Sequence, residues 1–176
     1  VFNFENGAPE VFTRTVELGR GDVVIVEGLH ALNPRLTSTI PPDRFLRVYI
    51  SVKQGICDAG GEIIHAREIR FLRRLVRDYY YRASAPERTL EMWEDVCRGE
   101  ELYIHPFKRQ ADMTVNSLHL YEPCIFRVLA LPLLEELLRQ QPQNETVSRL
   151  ARQLGRFEPL EPARVPKTSL LQEFIG

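Results

Sequence analysis

The segment from about residue 65 to 82 constrains the fold more than any other part of the chain. At about 100° per residue, its apolar side chains fall on one arc of a helix roughly 120° wide: Ile69, Leu72, Leu75, Val76 and Tyr79. The arginines lie on another arc nearly opposite: Arg67, Arg70, Arg73, Arg74 and Arg77. We therefore predict an amphipathic helix that packs one side on a core and leaves the other side charged.

The charge on this helix favours an anionic partner. Arg82 brings the arginines to six, and only two acids, Glu68 and Asp78, stand against them. Guanidinium groups stay protonated and form bidentate bonds with phosphate oxygens, so they suit the polyphosphate of a phosphotransferase. The alternatives are a solvated helix face paired with acids elsewhere, and an RNA contact surface that uses the tyrosines at 79–81.

Bulk composition limits the class of protein. The chain has 176 residues, 44% of them apolar and 27% charged, which is typical of one soluble globular domain. Its formal net charge is -1, so the arginine-rich face is a local feature. This argues against a dedicated nucleic-acid binder, which usually presents a broad basic surface.

The cysteines and the apolar runs bear on the compartment. The three cysteines are odd in number and widely spaced, which favours reduced thiols in a cytoplasmic protein. No apolar run approaches the roughly twenty residues that span a bilayer. The chain starts at Val1 without a signal-peptide pattern, and we expect it to begin in mid-protein.

Strands and helices alternate in the sequence. Residues 23–26, 45–52 and 113–115 read as strands, and the continuous β-branched run at 23–26 is typical of a parallel strand buried on both faces. Helices are expected from Pro86 to Gly99 after a Ser84-x-x-Glu87 capping box, at about 120–140 with a kink near Pro132, and after Asn144. Residues 54–61 read as a glycine-rich hinge. This order predicts an α/β fold with a mostly parallel sheet.

Glu27 follows the strand expected at 23–26 and precedes Gly28. A carboxylate at the C-terminal end of a parallel strand can hold magnesium, directly or through water. The alternative is a glutamate that caps a helix or pairs with an arginine. Phe2 and Phe4 could form an aromatic wall for a base, or simply pack. The four histidines show no ligand spacing, and none is assigned a catalytic role.

Taken in order, these stretches resemble the uridine kinase and phosphoribulokinase family, most of all the bacterial uridine kinase-like proteins. Val-Ile-Val-Glu27-Gly28 and the residues to Pro34 are similar to the family's Walker B-like strand and loop. Arg70 to Asp78 is similar to its lid helix. The similarity continues through Trp93, Arg98–Glu101, Pro106–Phe107, Ala111–Asp112 and the ending Ser169–Gly176.

The resemblance implies a P-loop NTPase-like fold, with a partial kinase domain over residues 1–157 and a lid at about 62–84. A C-terminal tail, 158–176, would pack on that domain. It implies an ATP-dependent kinase that uses Mg²⁺ and moves the γ-phosphoryl group of ATP to a hydroxyl acceptor such as a nucleoside.

The resemblance also implies roles for particular residues. Arg74 and Arg77 would close over the phosphates as catalytic residues, and Glu27 would lie near magnesium. Further residues would bind the nucleotide: Arg70, Arg73, Arg82 and Asp112. Phe2 and Phe4 would contact the substrate.

The sequence departs from the family at several positions. Ala83-Ser84 replaces a common Gly-Arg, and Gly7 and Met92 replace a histidine and a glutamine, so the acceptor need not be uridine. No G-x-x-x-x-G-K-[S/T] phosphate loop occurs in the chain. We therefore expect a C-terminal portion of a kinase, inactive by itself, whose open sheet edge would allow a homodimer. The alternative is a non-catalytic regulatory module that binds a nucleotide, another anion or RNA.

Overall fold

A computed structural model describes residues 15–176, together with the backbone of two short strands before them. These strands, β1 (Phe2–Asn3) and β2 (Ala8–Pro9), pair antiparallel with Phe2 opposite Pro9. The chain divides into two compact units, Val1–Ala31 and Leu32–Gly176. The expected substrate residue Phe4 lies outside the described residues, and only the backbone of Phe2 is described.

The strand expected at 23–26 does not form, so this prediction is wrong. Residues 22–27 adopt no regular structure, and their four apolar side chains are 52% to 90% exposed. A β-branched run becomes a buried strand only where neighbouring strands take its backbone hydrogen bonds and other layers cover its faces. Among the described residues, 22–27 have no such neighbour, and Glu27 therefore does not lie at a strand end.

The two other expected strands form a parallel pair in the second unit. β3 (Val48–Ser51) runs alongside β6 (Met113–Asn116), with Val48 opposite Met113 and Ser51 opposite Asn116. β3 is shorter than the stretch 45–52 that the sequence favoured. The expectation of parallel pairing is confirmed, and with the helices below it makes the described chain an α/β protein.

The glycine-rich stretch expected to be a hinge is part of a hairpin. β4 (Ile56–Asp58) pairs antiparallel with β5 (Gly61–Ile64). Gly61 has a φ of 119°, a conformation that favours glycine. The Asp58 carboxylate accepts a hydrogen bond from the Gly60 N–H at 2.7 Å and fixes the turn. The hairpin buries Ile63 and Ile64 in the core.

Seven helices follow in the described part of the chain: α1 (Ala66–Arg82), α2 (Pro86–Tyr103), α3 (His105–Lys108), α4 (Glu122–Leu129), α5 (Leu131–Gln140), α6 (Glu145–Leu154) and α7 (Gln172–Ile175). Short 3₁₀ turns occupy Pro34–Leu36, Pro42–Arg44 and Pro162–Arg164. None of the helices in this part of the chain is long and apolar enough to cross a membrane.

Helix α1 forms where the sequence predicts it. His65 is the N-cap and accepts a hydrogen bond from the Arg67 N–H at 3.1 Å, while the Glu68 carboxylate accepts one from the His65 N–H at 2.8 Å. This reciprocal capping fixes the first turn. The expected apolar arc is buried except at its last member, since Tyr79 is exposed while the others are covered: Ile69, Leu72, Leu75 and Val76.

Helix α2 starts at Pro86, as expected, but ends later than expected. Its N-cap is Ala85, without a side-chain hydrogen bond, so the Ser84 capping box is absent. Gly99 does not end the helix, which continues to Tyr103. A glycine inside a helix costs only about 1 kcal/mol, and the turn after Gly99 carries Glu100 and Glu101, which contact arginines of α1.

The C-terminal helices confirm their predicted pattern. The expected kink near Pro132 is a break at Ala130 between α4 and α5. Asn144 caps α6 by accepting from the Val147 N–H at 3.1 Å. The core joins α1, α4, α5, α6 and the residues after 158, and its fully buried side chains include Phe126, Leu134, Leu150, Leu154 and Leu171.

Candidate phosphate-binding site

Two arginines near the start of α1 pair with acids of α2. Arg70 donates to both carboxylate oxygens of Glu100 from its two terminal nitrogens, with Nη1 at 2.6 Å from Oε2. Burial disfavours the charged guanidinium, but the hydrogen bond and the charge of Glu100 outweigh it and raise the pKa of Arg70. Arg67 lies 3.5 Å from Glu101 and donates from Nε to Cys97 Sγ at 2.9 Å. These contacts hold α1 against α2.

Arg73 is buried and joins α1 to the start of α4. Its guanidinium donates to both carboxylate oxygens of Glu122, at 2.8 and 2.6 Å, and to Ser117 Oγ and carbonyl oxygen, at 3.1 and 2.6 Å. Glu122 is fully buried and also accepts from the His119 N–H at 2.8 Å. Four of the guanidinium donors are thereby used inside the protein, so the structure gives Arg73 a role in packing.

The remaining arginines of α1 surround one carboxylate, and we call this group the arginine cluster: Arg74, Arg77, Arg82 and Asp78. Arg77 Nη2 and Nε donate to Asp78 Oδ1 at 2.9 and 3.1 Å. Arg74 Nε lies 3.2 Å from Oδ2, and Arg82 Nη1 lies 3.6 Å from Oδ1. Three positive charges and one negative charge leave a formal charge of +2.

The cluster keeps donors that Asp78 cannot take. Among the described residues, Asp78 is the one carboxylate within 4.0 Å of these three guanidiniums. Arg74 Nε is buried without a well-aligned hydrogen bond. The side chains of Arg74 and Arg77 are 26% and 20% exposed, and that of Arg82 is 58% exposed. A ligand can therefore reach the cluster from solvent.

Helix geometry produces the cluster. Arg74 and Arg82 each stand four residues from Asp78, on the turns before and after it, and such residues are neighbours on a helix. Basic side chains near a helix C-terminus also interact favourably with its carbonyl ends. The helix ends at Arg82 and is capped by Ala83, which has a φ of 50°. The Asp78 carbonyl accepts a hydrogen bond from the Ser84 N–H at 2.9 Å.

Three tyrosines follow Asp78, and all are partly exposed. Tyr79 and Tyr80 contact edge to face, with ring centroids 5.0 Å apart. Desolvation raises the pKa of Tyr80, and the neighbouring Tyr79 and Tyr81 add to the shift. The Tyr81 hydroxyl donates to the carbonyl oxygen of Ile175 in α7.

Asp112 lies at a different place from the arginine cluster. Its carboxylate accepts a hydrogen bond from the Arg47 N–H at 2.8 Å, and the Arg47 carbonyl accepts from the N–H groups of Asp112 and Met113. These bonds fix the start of the β3–β6 pair. The structure thus connects Asp112 to the sheet, and its nucleotide-binding role stays a prediction.

Glu27 lies in the first unit and is exposed. Within the described residues, no group of three or more histidine, cysteine, aspartate or glutamate side chains is placed to hold a metal. The described residues therefore form no preformed cluster of metal ligands, whereas magnesium at a nucleotide needs only one or two carboxylates beside phosphate and water ligands. Magnesium binding at Glu27 stays a prediction.

The acids that pair with the arginines were not foreseen. Glu100 and Glu122 lie 30 and 49 residues from their partners along the chain, so helix periodicity gave no sign of them. The sequence does contain a local indication of the central position of Asp78, which is its spacing of four residues from both Arg74 and Arg82. No family model matches the chain, and no solved structure matches it.

Proposed function

We propose that this chain serves an ATP-dependent phosphotransferase similar to the uridine kinases, and that the arginine cluster contacts the polyphosphate of the nucleotide. The observation that carries the proposal is the gathering of three guanidiniums around one carboxylate. In this proposal the parallel β3–β6 pair belongs to a P-loop NTPase-like sheet. The acceptor is a small hydroxyl compound, a nucleoside in the first instance.

The balance of charges supports phosphate binding at the end of α1. The carbonyl ends of a helix disfavour a nearby anion by about 0.3–1 kcal/mol. A hydrogen bond to a charged group contributes roughly 1.5–3 kcal/mol, and each arginine can form two such bonds with a phosphate. Two arginine contacts therefore outweigh the unfavourable helix end.

The six arginines of α1 divide the work in this proposal. Arg74, Arg77 and Arg82 hold phosphoryl oxygens and balance the charge that spreads over them in the transition state. Arg67, Arg70 and Arg73 hold the helix on α2 and α4 and keep the cluster in place. The acceptor hydroxyl would attack the γ-phosphorus and ADP would leave. Magnesium, when bound, would supply further neutralisation of the phosphates.

The proposed setting is the cytoplasm. All three cysteines are free thiols, Cys57, Cys97 and Cys124, which suits a reducing compartment. The proposed partners are ATP and the hydroxyl substrate.

Calorimetric titration with tripolyphosphate and with ATP tests the binding site. We expect Arg74→Gln/Arg77→Gln to weaken both ligands by at least roughly tenfold, since two charge-assisted contacts are lost. Arg98→Gln is the matched control, because Arg98 is an exposed arginine of α2 that pairs with Asp95 three residues away. Equal affinity in the double variant and in the control would contradict the proposal.

A non-catalytic anion-binding module is the second candidate. The observation that favours this module is that the α1 arginines pair with acids of the protein itself. Only the arginine cluster, with a formal charge of +2, is then left to bind an anion. An assay of ADP release with ATP, magnesium and a panel of nucleosides separates the two. Cluster-dependent binding of ATP without ADP release from any acceptor would favour the module.

A further inference from the structure

We propose that Tyr81 stacks on the base of a nucleotide whose phosphates occupy the arginine cluster. This inference rests on the proposed phosphate site and names the class of ligand that the site prefers. The ligand would be a nucleoside di- or triphosphate, and an inorganic polyphosphate would bind less tightly.

The position of Tyr81 on α1 places it beside the cluster. It lies four residues after Arg77 and seven after Arg74. At about 100° per residue, these residues and Asp78 share an arc of roughly 100°. Along the axis, Tyr81 lies about 6 Å from Arg77 and about 10 Å from Arg74 at 1.5 Å per residue. That distance is of the order that separates the base of a nucleotide from its phosphates.

The Tyr81 ring is held in place but not covered. Its hydroxyl donates to the Ile175 carbonyl oxygen, and a β-carbon on Gly176 would clash with the hydroxyl end of the ring. The residue nevertheless keeps 55% of its surface exposed. A ring fixed at its hydroxyl edge loses little freedom when a second ring stacks on its open face, which favours binding.

Tyr79 differs from Tyr81 in its position around the helix relative to the arginine cluster. It lies about 160° away around the helix axis at 100° per residue, so it does not share the face of Arg74 and Arg77. It is exposed to a similar extent, 44%, and its ring contacts Tyr80 edge to face. Tyr79 therefore provides a matched control within the same turn of the helix.

The test compares the dissociation constants of ADP and pyrophosphate by calorimetry, at equal ionic strength and magnesium concentration. Stacking on an aromatic side chain contributes about 1–3 kcal/mol per base, which corresponds to roughly five- to 150-fold in affinity. We expect Tyr81→Leu to weaken ADP by roughly tenfold and to leave pyrophosphate unchanged. Tyr81→Phe keeps the ring but loses the bond to Ile175, so it should lose clearly less ADP affinity than Tyr81→Leu.

Each other outcome has a definite meaning. Equal loss of ADP affinity in Tyr81→Leu and Tyr79→Leu would overturn the proposal. So would equal loss in Tyr81→Leu and Tyr81→Phe, because the hydroxyl contact and not the ring would then matter. Pyrophosphate binding that is insensitive to Arg74→Gln/Arg77→Gln would overturn the phosphate site itself. Pyrophosphate binding at the cluster, with ADP unaffected by Tyr81→Leu, would overturn the stacking role alone.

Discussion

Two buried carboxylates, Asp78 and Glu122, differ in the number of arginines with which they pair. This number distinguishes a packing contact from a candidate binding site. Glu122 pairs with one guanidinium, that of Arg73, which also donates hydrogen bonds to Ser117. The Arg73 guanidinium is therefore satisfied inside the protein. Asp78 faces three guanidiniums and satisfies them only in part. Arg73, one of several residues that the family resemblance placed on the nucleotide, thus differs from its neighbour Arg74 because it has a partner 49 residues away.

Removing the charge of Glu122 should destabilise the fold strongly. Glu122→Gln leaves the Arg73 guanidinium buried without its counter-charge, which costs about 3–5 kcal/mol in the free energy of unfolding. Glu91→Gln, which disrupts the exposed pair with Arg88, should change that free energy little. Chemical denaturation measures both. A Glu122→Gln protein as stable as Glu91→Gln would contradict the assigned role.

The hairpin should weaken in acid because of Asp58. The Gly60 N–H and then Arg156 hold the pKa of this carboxylate below its usual 3.8. A lowered folded-state pKa means that the stabilisation is fully present above pH 3.8 and is lost as the pH falls through the folded-state value. Asp58→Asn should therefore lower the melting temperature at neutral pH, with the difference from the unchanged protein shrinking below about pH 4. A difference that does not depend on pH would contradict this account.

At the scale of elements, helices were predictable and the first strand was not. The bounds of α1 and the cap of α6 depend on residues within four positions of each other, such as His65 with Glu68 and Asn144 with Val147. The run at 23–26 has strong strand character, but a strand also needs partners from elsewhere in the chain. The parallel pair β3–β6 forms because its two strands find each other across 65 residues.

The end of α1 offers a test of backbone strain. Ala83 has a φ of 50°, in the left-handed region, where a β-carbon costs roughly 1 kcal/mol and glycine does not. Ala83→Gly should raise the free energy of unfolding by about 0.5–1 kcal/mol. Ala66→Gly, inside the first turn of α1, is the control and should lower it. If Ala83→Gly also lowers the free energy, the helix does not end as described.

At the scale of the whole molecule, α1 is the common element of the core and of the candidate site. Its apolar side packs on α4 and the hairpin core, and its arginines contact α2, α4 and Asp78 of α1 itself. Its amphipathic character and charge were readable from the sequence. The sequence did not show which of its arginines pack inside the protein and which keep donors open to a ligand. That division depends on acids that the fold brings from distant segments.

The most direct test of the central claim is an NMR titration of the arginine guanidinium Nη–H signals with tripolyphosphate. We predict saturable shifts for Arg74, Arg77 and Arg82, because their guanidiniums keep open donors, and little change for Arg70 and Arg73, whose donors are bound to Glu100 and Glu122. Shifts spread evenly over all arginines, or confined to Arg70 and Arg73, would contradict the account.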